Sequence, residues 1–218
     1  MNVQVHAKGY RRAGRWGKAF FGLFAIIEIP DRPKIMDQGA VIVAANHRSF
    51  FDLFLAYILM VGWGVTPRMM VRGSYFELPI LGWILKATGC IPVDKGGGKD
   101  AIDQALIELN ANRPVAIMPE GRLVKSADRP TGVGSARDGI GILAVKSGAP
   151  VVVVGVTGSE RVWPMGKPVP LPRLKRTKLV SRYRVLTELS GSATEVKDVI
   201  MENMGGAVRD AEAFAIGQ

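Results

Sequence analysis

Val41-Ile42-Val43-Ala44 leads through Ala45-Asn46-His47-Arg48-Ser49-Phe50-Phe51 to Asp52 and then into the apolar run Leu53 to Val61. Four consecutive apolar residues ahead of a polar turn read as a strand buried on both faces, and the run after it reads as a helix starting near Asp52. A strand feeding a helix is half of a βαβ unit, which predicts a parallel neighbour. Downstream the pattern repeats. Arg68 to Val71 reads as a strand, Tyr75 to Ala87 as an apolar helix, Cys90 to Val93 as a strand and Ala101 to Asn110 as a helix. Val115 to Met118 reads as a strand, Arg137 to Lys146 as a helix and Val151 to Val156 as a continuous apolar strand. The expectation is an α/β fold, a mostly parallel central sheet flanked by helices.

The flanks differ in texture. Before the strand, Trp16, Phe20, Leu23, Phe24 and Ile27 share one side of a helical wheel, with Arg11, Arg15 and Lys18 opposite. An N-terminal amphipathic membrane-associating helix fits that pattern, and so does a helix packed on the protein's own core with a solvated basic face. Under the first reading, removing residues 1–29 weakens liposome binding and leaves the fold intact. Beyond Gly158, Pro164, Pro168, Pro170 and Pro172 exclude helix, and a strand is expected near Leu179 to Val185. Ser192 to Phe214 is acidic and helix-like, interrupted by Gly205-Gly206, and carries no legible function. The division expected is a basic N-terminal segment 1–34, an α/β domain 35–190 and a helical tail 191–218.

The net charge of +10 points to anionic partners. Five Lys or Arg precede the first acidic residue, and Arg161 to Arg184 holds eight with no Asp or Glu. Cys90 is the only cysteine, so no intramolecular disulfide or multi-cysteine metal site is available, and its apolar setting predicts a buried, inert thiol. The apolar run Ala19 to Ile27 is far shorter than the roughly 20 residues that span a bilayer. Glu28, Pro30 and Asp31 follow where a signal-peptide cleavage site would need small residues.

His47 leaves the strand and Asp52 opens the helix, so a short turn can bring the carboxylate to one imidazole nitrogen, fixing the tautomer and favouring the imidazolium. An ordinary N-cap aspartate beside a loop histidine fits the five-residue spacing as well. His6, the other histidine, lies in the basic tail. A second strand end opens into Pro119-Glu120-Gly121-Arg122-Leu123, where glycine permits close backbone approach and arginine offers a fork of donors suited to phosphate. Gly96-Gly97-Gly98-Lys99 lacks the spacing of a P-loop, Gly139-Ile140-Gly141 has no strand immediately before it, and no Gly-x-Ser-x-Gly elbow or metal-ligand spacing occurs.

Together these blocks resemble the glycerolipid acyltransferase family that includes 1-acylglycerol-3-phosphate acyltransferases, over roughly Ala40 to Thr187. Asn46, His47 and Asp52 match its Asn-His-x4-Asp block, Pro119, Glu120 and Gly121 its Pro-Glu-Gly block, and Gly148-Ala149-Pro150 before Val151 to Val154 its fourth block. Ile91-Pro92-Val93-Asp94-Lys95 has lysine where the family usually has arginine, and Arg122 directly follows Gly121 while Leu123 takes the usual arginine place.

The resemblance implies a catalytic pair, His47 as general base and Asp52 as its orienter. It also implies an acceptor site drawn from Arg72, Lys95, Glu120, Gly121 and Arg122, with amides near Glu120-Gly121 facing the oxyanion. The acyl donor is then acyl-CoA or acyl carrier protein and the acceptor 1-acyl-glycerol 3-phosphate, with glycerol 3-phosphate or another lysophospholipid as alternatives. No cofactor and no metal are implied. The partners implied are an anionic phospholipid surface and the two substrates, without nucleic acid, at the cytoplasmic face of the cell membrane as a peripheral or monotopic protein. A reading of another class is a non-enzymatic basic module that binds anionic membrane or nucleic acid through Arg161 to Arg184. Its Trp163 and Tyr183 lack the regular aromatic spacing of base-stacking platforms.

Overall fold

The structure, a computed structural model, describes residues 3–94, 98–167, 169–170 and 175–217, without the side chains of residues 3–6. Lys95, Pro168, Pro172 and the side chain of His6 lie outside the described residues. In chain order the elements are α1 (Val3–Phe21), β1 (Ala25–Glu28), β2 (Ile42–Ala45), α2 (Asp52–Gly62), β3 (Arg68–Arg72), α3 (Pro79–Thr88) and β4 (Ile91–Val93). There follow α4 (Gly98–Asn110), β5 (Val115–Ile117), α5 (Gly139–Ser147), β6 (Val151–Thr157), the single turn α6 (Ser159–Val162), β7 (Thr177–Leu186) and α7 (Ala193–Ile216).

The strands form one sheet in the order β1-β7-β6-β2-β5-β3-β4. Every pairing is parallel except β6 with β7. The quoted strand therefore lies in the middle of the sheet, between β5 and β6, with Ala44 opposite both Ile117 and Val153. Alternation sorts its neighbours onto two faces. Val41, Val43, Val152 and Val154 pack with Tyr10, Phe51, Leu59 and Leu85, whereas Ile42, Ala44, Val151 and Val153 pack with Leu109, Leu143, Ile200 and Val208. Apolar side chains on both sides of β2 and β6 explain why these strands lack polar alternation.

Three elements differ from the expectation. The N-terminal helix stops at Phe21, and Ala25–Glu28 extends beside β7 as an edge strand instead of continuing the helix to Ile27. The β-branched pair Ile26-Ile27 favours extended backbone, and β7 supplies the hydrogen-bonding edge that local pattern cannot reveal. The predicted Tyr75 to Ala87 helix divides at Leu78, with a 3-10 turn over Gly73–Glu77 and Pro79 opening α3, because proline suits the first helical turn and disfavours helix before it. α7 runs unbroken through Gly205-Gly206, which lie buried: a Cβ at Gly205 would come within 2.9 Å of Thr131 O, and one at Gly206 would displace the Arg184 guanidinium.

α1 lies on α2 and α3 through Tyr10, Gly14, Gly17 and Phe21, all buried, and the Tyr10 hydroxyl donates to the Pro67 carbonyl. A Cβ at Gly14 would sit 2.6 Å from Val61 Cγ2, so the glycine permits the close approach of the two helices. Trp16, Phe20 and Leu23 stay exposed, Trp16 at 75%. Deleting residues 1–29 would thus remove β1 from the sheet and Tyr10 and Phe21 from the core, contrary to the expectation of an intact fold.

Candidate active site

Because β2, β3, β4 and β5 run parallel, their C-terminal ends meet along one edge of the sheet, and the polar segments after them lie side by side. His47 follows β2 by two residues. Its Nδ1 lies 3.1 Å from Asp52 Oδ2, with the imidazole 15% exposed and the carboxylate 2%. The same oxygen accepts from the main-chain amides of Arg48 at 2.6 Å and Ser49 at 2.7 Å. Asp52 is the first residue of α2 and folds its carboxylate back onto the loop that precedes it, so the capping alternative does not describe its hydrogen bonds. With Nδ1 turned to the carboxylate, Nε2 is left for chemistry.

Glu120 connects this loop to two others. Its Oε2 accepts from the His47 amide at 2.6 Å and its Oε1 from the Gly134 amide at 2.6 Å, and the residue is 2% exposed. Burial raises its carboxyl above the ordinary value, against the lowering pull of the Gly134 and His47 amides. The geometry requires two acceptors, the carboxylate form that burial disfavours, so the two amides are its main support. Gly121 has φ of 61°, and its amide donates to Met118 O at 3.0 Å. That amide is already committed, contrary to its expected place facing an oxyanion.

Arg72 ends β3 and Arg122 follows the Gly121 turn; both are exposed, and among the described residues neither pairs with a carboxylate. Neither is in hydrogen-bonding contact with His47 or Asp52. The sequence reading gave no role to three residues, Asn46, which it had only as part of the motif, Arg48 and Arg137. The Asn46 carboxamide bridges to β6, donating to Val156 O at 3.1 Å and accepting from Val156 N at 2.7 Å. Arg48, 5% exposed, turns away from the solvent edge toward carboxylates of α6 and α7. Arg137 lies over the Gly121 turn, where a Gly121 Cβ would come within 2.9 Å of its Nε. Their partners are 16 to 164 residues distant, and no local spacing encodes them.

Beside the loop, Phe50, Leu123, Trp163, Pro164, Met165, Gly166 and Lys167 line a pocket of ≈ 250 Å³. Phe50 packs on Trp163 and Tyr75 with ring centroids 5.2 and 5.5 Å away. Another pocket, ≈ 230 Å³ and lined by residues including Arg68, Cys90 and Glu108, opens at the start of β3 and β4, the opposite sheet edge from His47. Burial pushes the Cys90 thiol up, as expected of an inert cysteine. Much of the second basic stretch is occupied: Arg184 pairs with Asp210 at 2.9 Å, Arg182 lies 3.5 Å from the centre of the Phe214 ring, and Arg176 donates to Gly22 O. Among the described residues there is no cluster of three His, Cys, Asp or Glu fit for a metal. No described helix is long and apolar enough to cross a membrane.

The chain is similar to a chloroplastic 1-acyl-sn-glycerol-3-phosphate acyltransferase of Arabidopsis thaliana, 28% identical over 60% of this chain and 35% of that protein. A chloroplastic 1-acyl-sn-glycerol-3-phosphate acyltransferase of Brassica napus is 24% identical over 57% and 35% of the respective chains. The chain thus spans about a third of the length of the curated relatives it matches. Its fold is that of the crystallised 1-acyl-sn-glycerophosphate acyltransferase PlsC from Thermotoga maritima, with a TM-score of 0.72 over 94% of this chain and 79% of that one, at 22% identity. Residues 26–157, well over half of the chain and all of β2 through the end of β6, match the sequence profile described as Acyltransferase, and the protein belongs to that family.

Proposed function

We propose that this protein transfers a fatty acyl group from acyl-CoA or acyl carrier protein to the free hydroxyl of 1-acyl-glycerol 3-phosphate, giving phosphatidic acid. The observation that carries the reading is the 3.1 Å contact between His47 and Asp52 at the exit of the central strand, inside the family's matched region. Nε2 of His47 removes the hydroxyl proton as the oxygen attacks the thioester carbonyl; the tetrahedral intermediate collapses, and the thiolate leaves and takes up a proton. Asp52 orients the ring and offsets the charge of the imidazolium. The thioester carries the activation, so no cofactor takes part.

Arg72 and Arg122 supply cations for the acceptor phosphate at the same sheet edge, and Lys95, the residue after Asp94 in the sequence, is kept as a third candidate. The pocket at Phe50, Leu123 and Trp163 suits the carbons next to the thioester. The α/β domain, 35–190, then carries the chemistry, the exposed side of α1 meets the lipid and α7 braces the sheet. The test is release of free thiol by the purified protein from acyl-CoA or acyl carrier protein, with 1-acyl-glycerol 3-phosphate, glycerol 3-phosphate and other lysophospholipids as acceptors. Release dependent on the first acceptor supports the assignment, a preference for glycerol 3-phosphate moves it to that substrate, and no release with any acceptor ends it.

Glu120 belongs in this scheme as a support of the His47 main chain more than as an acceptor ligand, since both its oxygens are held by amides. Glu120→Gln puts an amide donor against one of two buried N–H groups and is expected to cost about 1–3 kcal/mol of stability and to lower kcat more than it raises KM for the acceptor. Unchanged urea denaturation with a raised acceptor KM would return Glu120 to the binding site.

Membrane attachment is proposed through the exposed Trp16, Phe20 and Leu23, with the exposed Arg15 and Lys18 on the same helix and Arg176 bonded to Gly22 O. Replacing the three apolar residues with aspartate adds three negative charges and leaves the buried side of α1 untouched. Co-sedimentation with vesicles rich in anionic lipid should fall at least about tenfold, given roughly 1.5–3 kcal/mol for each large apolar side chain inserted. Undiminished co-sedimentation would move the attachment elsewhere on the surface.

A further inference from the structure

The C-terminal helix carries no motif, yet it reaches the catalytic loop through one side chain. We propose that Arg48 is a positioning residue through which Glu212 of α7 holds the His47–Asp52 pair in register, a proposal that rests on the transfer reading above. The main-chain amide of Arg48 donates to Asp52 Oδ2, the oxygen that also faces His47 Nδ1. Its side chain, 5% exposed, runs the other way. One terminal nitrogen donates to Gly132 O and to Glu212 Oε1, both at 3.0 Å; the other donates to Thr157 Oγ1 at 3.3 Å and lies 3.6 Å from Glu160 Oε1. One residue therefore joins the catalytic carboxylate to the end of β6, to α6, to the loop after β5 and to α7.

The direction of control follows from burial and rigidity. A guanidinium removed from water must lie where its acceptors are, so the acceptors determine the side-chain path and, with it, the position of the main chain at residue 48. Arg48 Nε is buried with no partner among the described residues, which leaves the terminal nitrogens to fix that path. α7 is well suited to be the fixed end. A Ser192–Glu195 capping box closes its N-terminus, Met204, Ala207, Val208 and Ala211 bury it against the sheet, and Glu212 directly follows the last of these. The tail thus supports the geometry of a loop more than 160 residues away without touching a substrate. Lysine cannot take over, because one ammonium does not reproduce a fork that serves Glu212 and Thr157 together.

Glu212 is half-exposed, so Glu212→Gln keeps the size of the side chain, removes the charge and tests the link with little risk to folding. The chain has only two histidines, so histidine-selective nitrogen-15 labelling, with His6→Ala for assignment, isolates the His47 ring. In Glu212→Gln the His47 ring resonances are expected to shift, kcat to fall about tenfold with KM unchanged, and the melting temperature to move by less than about 4 °C. Arg48→Lys is expected to lower kcat at least as far. Wild-type His47 resonances together with wild-type kcat in Glu212→Gln would overturn the proposal, as would a loss of activity no larger than the loss of folded protein. Were the unmodified protein to transfer no acyl group, the transfer reading would fail by itself, and the resonances would still decide between a coupled and an uncoupled helix.

Discussion

His47→Ala is expected to lower kcat/KM for acyl transfer by about 10³-fold or more, the range general-base catalysis supplies, equivalent to roughly 4 kcal/mol of transition-state stabilisation. The loss should fall on kcat. His47 is 15% exposed and its ring faces Asp52, so removing the ring leaves the carboxylate's two main-chain hydrogen bonds and the Glu120 contact to the main chain of residue 47 in place. The variant should therefore remain folded and retain its affinity for the acceptor. Steady-state thiol release, paired with a thermal melt, makes the comparison. Full turnover by a folded alanine variant would remove the base from the mechanism, and with it the enzyme reading of this site.

Asp52 is expected to separate charge from geometry. One oxygen, Oδ2, serves the imidazole and both amides of Arg48 and Ser49, while Oδ1 is buried without a partner among the described residues. Asn can place its carbonyl oxygen where Oδ2 lies and keep all three contacts, losing the negative charge that favours the imidazolium and leaving a buried NH2 without an acceptor. A fall in kcat of about 10²–10³-fold is expected for Asp52→Asn, consistent with the loss of a carboxylate beside a catalytic histidine. Asp52→Ala loses the contacts as well, so its kcat should fall further. With two buried amides unpaired at about 1–3 kcal/mol each, its stability should fall clearly below that of Asp52→Asn. Equal activity for the two variants would mean that the contacts add nothing beyond the charge, whereas wild-type activity in Asp52→Asn would mean that the charge is irrelevant and that the carboxylate serves only to hold the loop.

Much of this architecture is legible in one dimension because the physics behind it is local. Uninterrupted apolar runs at Val41 to Ala44 and Val151 to Val156 report strands covered on both faces, and the βα alternation implies the parallel sheet whose C-terminal edge collects His47, Glu120 and Arg72. The misplaced elements are those settled by distant partners. Ala25 to Glu28 becomes a strand because β7, about 150 residues later, offers it an edge. Gly205-Gly206 stays helical because the helix is pressed against Thr131 and Arg184. Trp16 and Phe20 share an exposed side of α1, and the wheel assigned no separate buried side, since Gly14, which lets α1 approach α2 closely, is invisible to a hydrophobic pattern.

The sequence by itself determined the order of strands and helices from β2 to β6, the class of fold, and the placement of His47 and Asp52 at a strand exit and helix start, because each depends on side-chain periodicity within a dozen residues. Only the tertiary structure decided what those groups touch. That Asp52 clasps its own preceding loop, that Glu120 is spent on the amides of His47 and Gly134, and that Arg48 links that loop to α7 are consequences of burial. A polar group removed from water must find a partner wherever the fold places one, and sequence distance does not constrain that search.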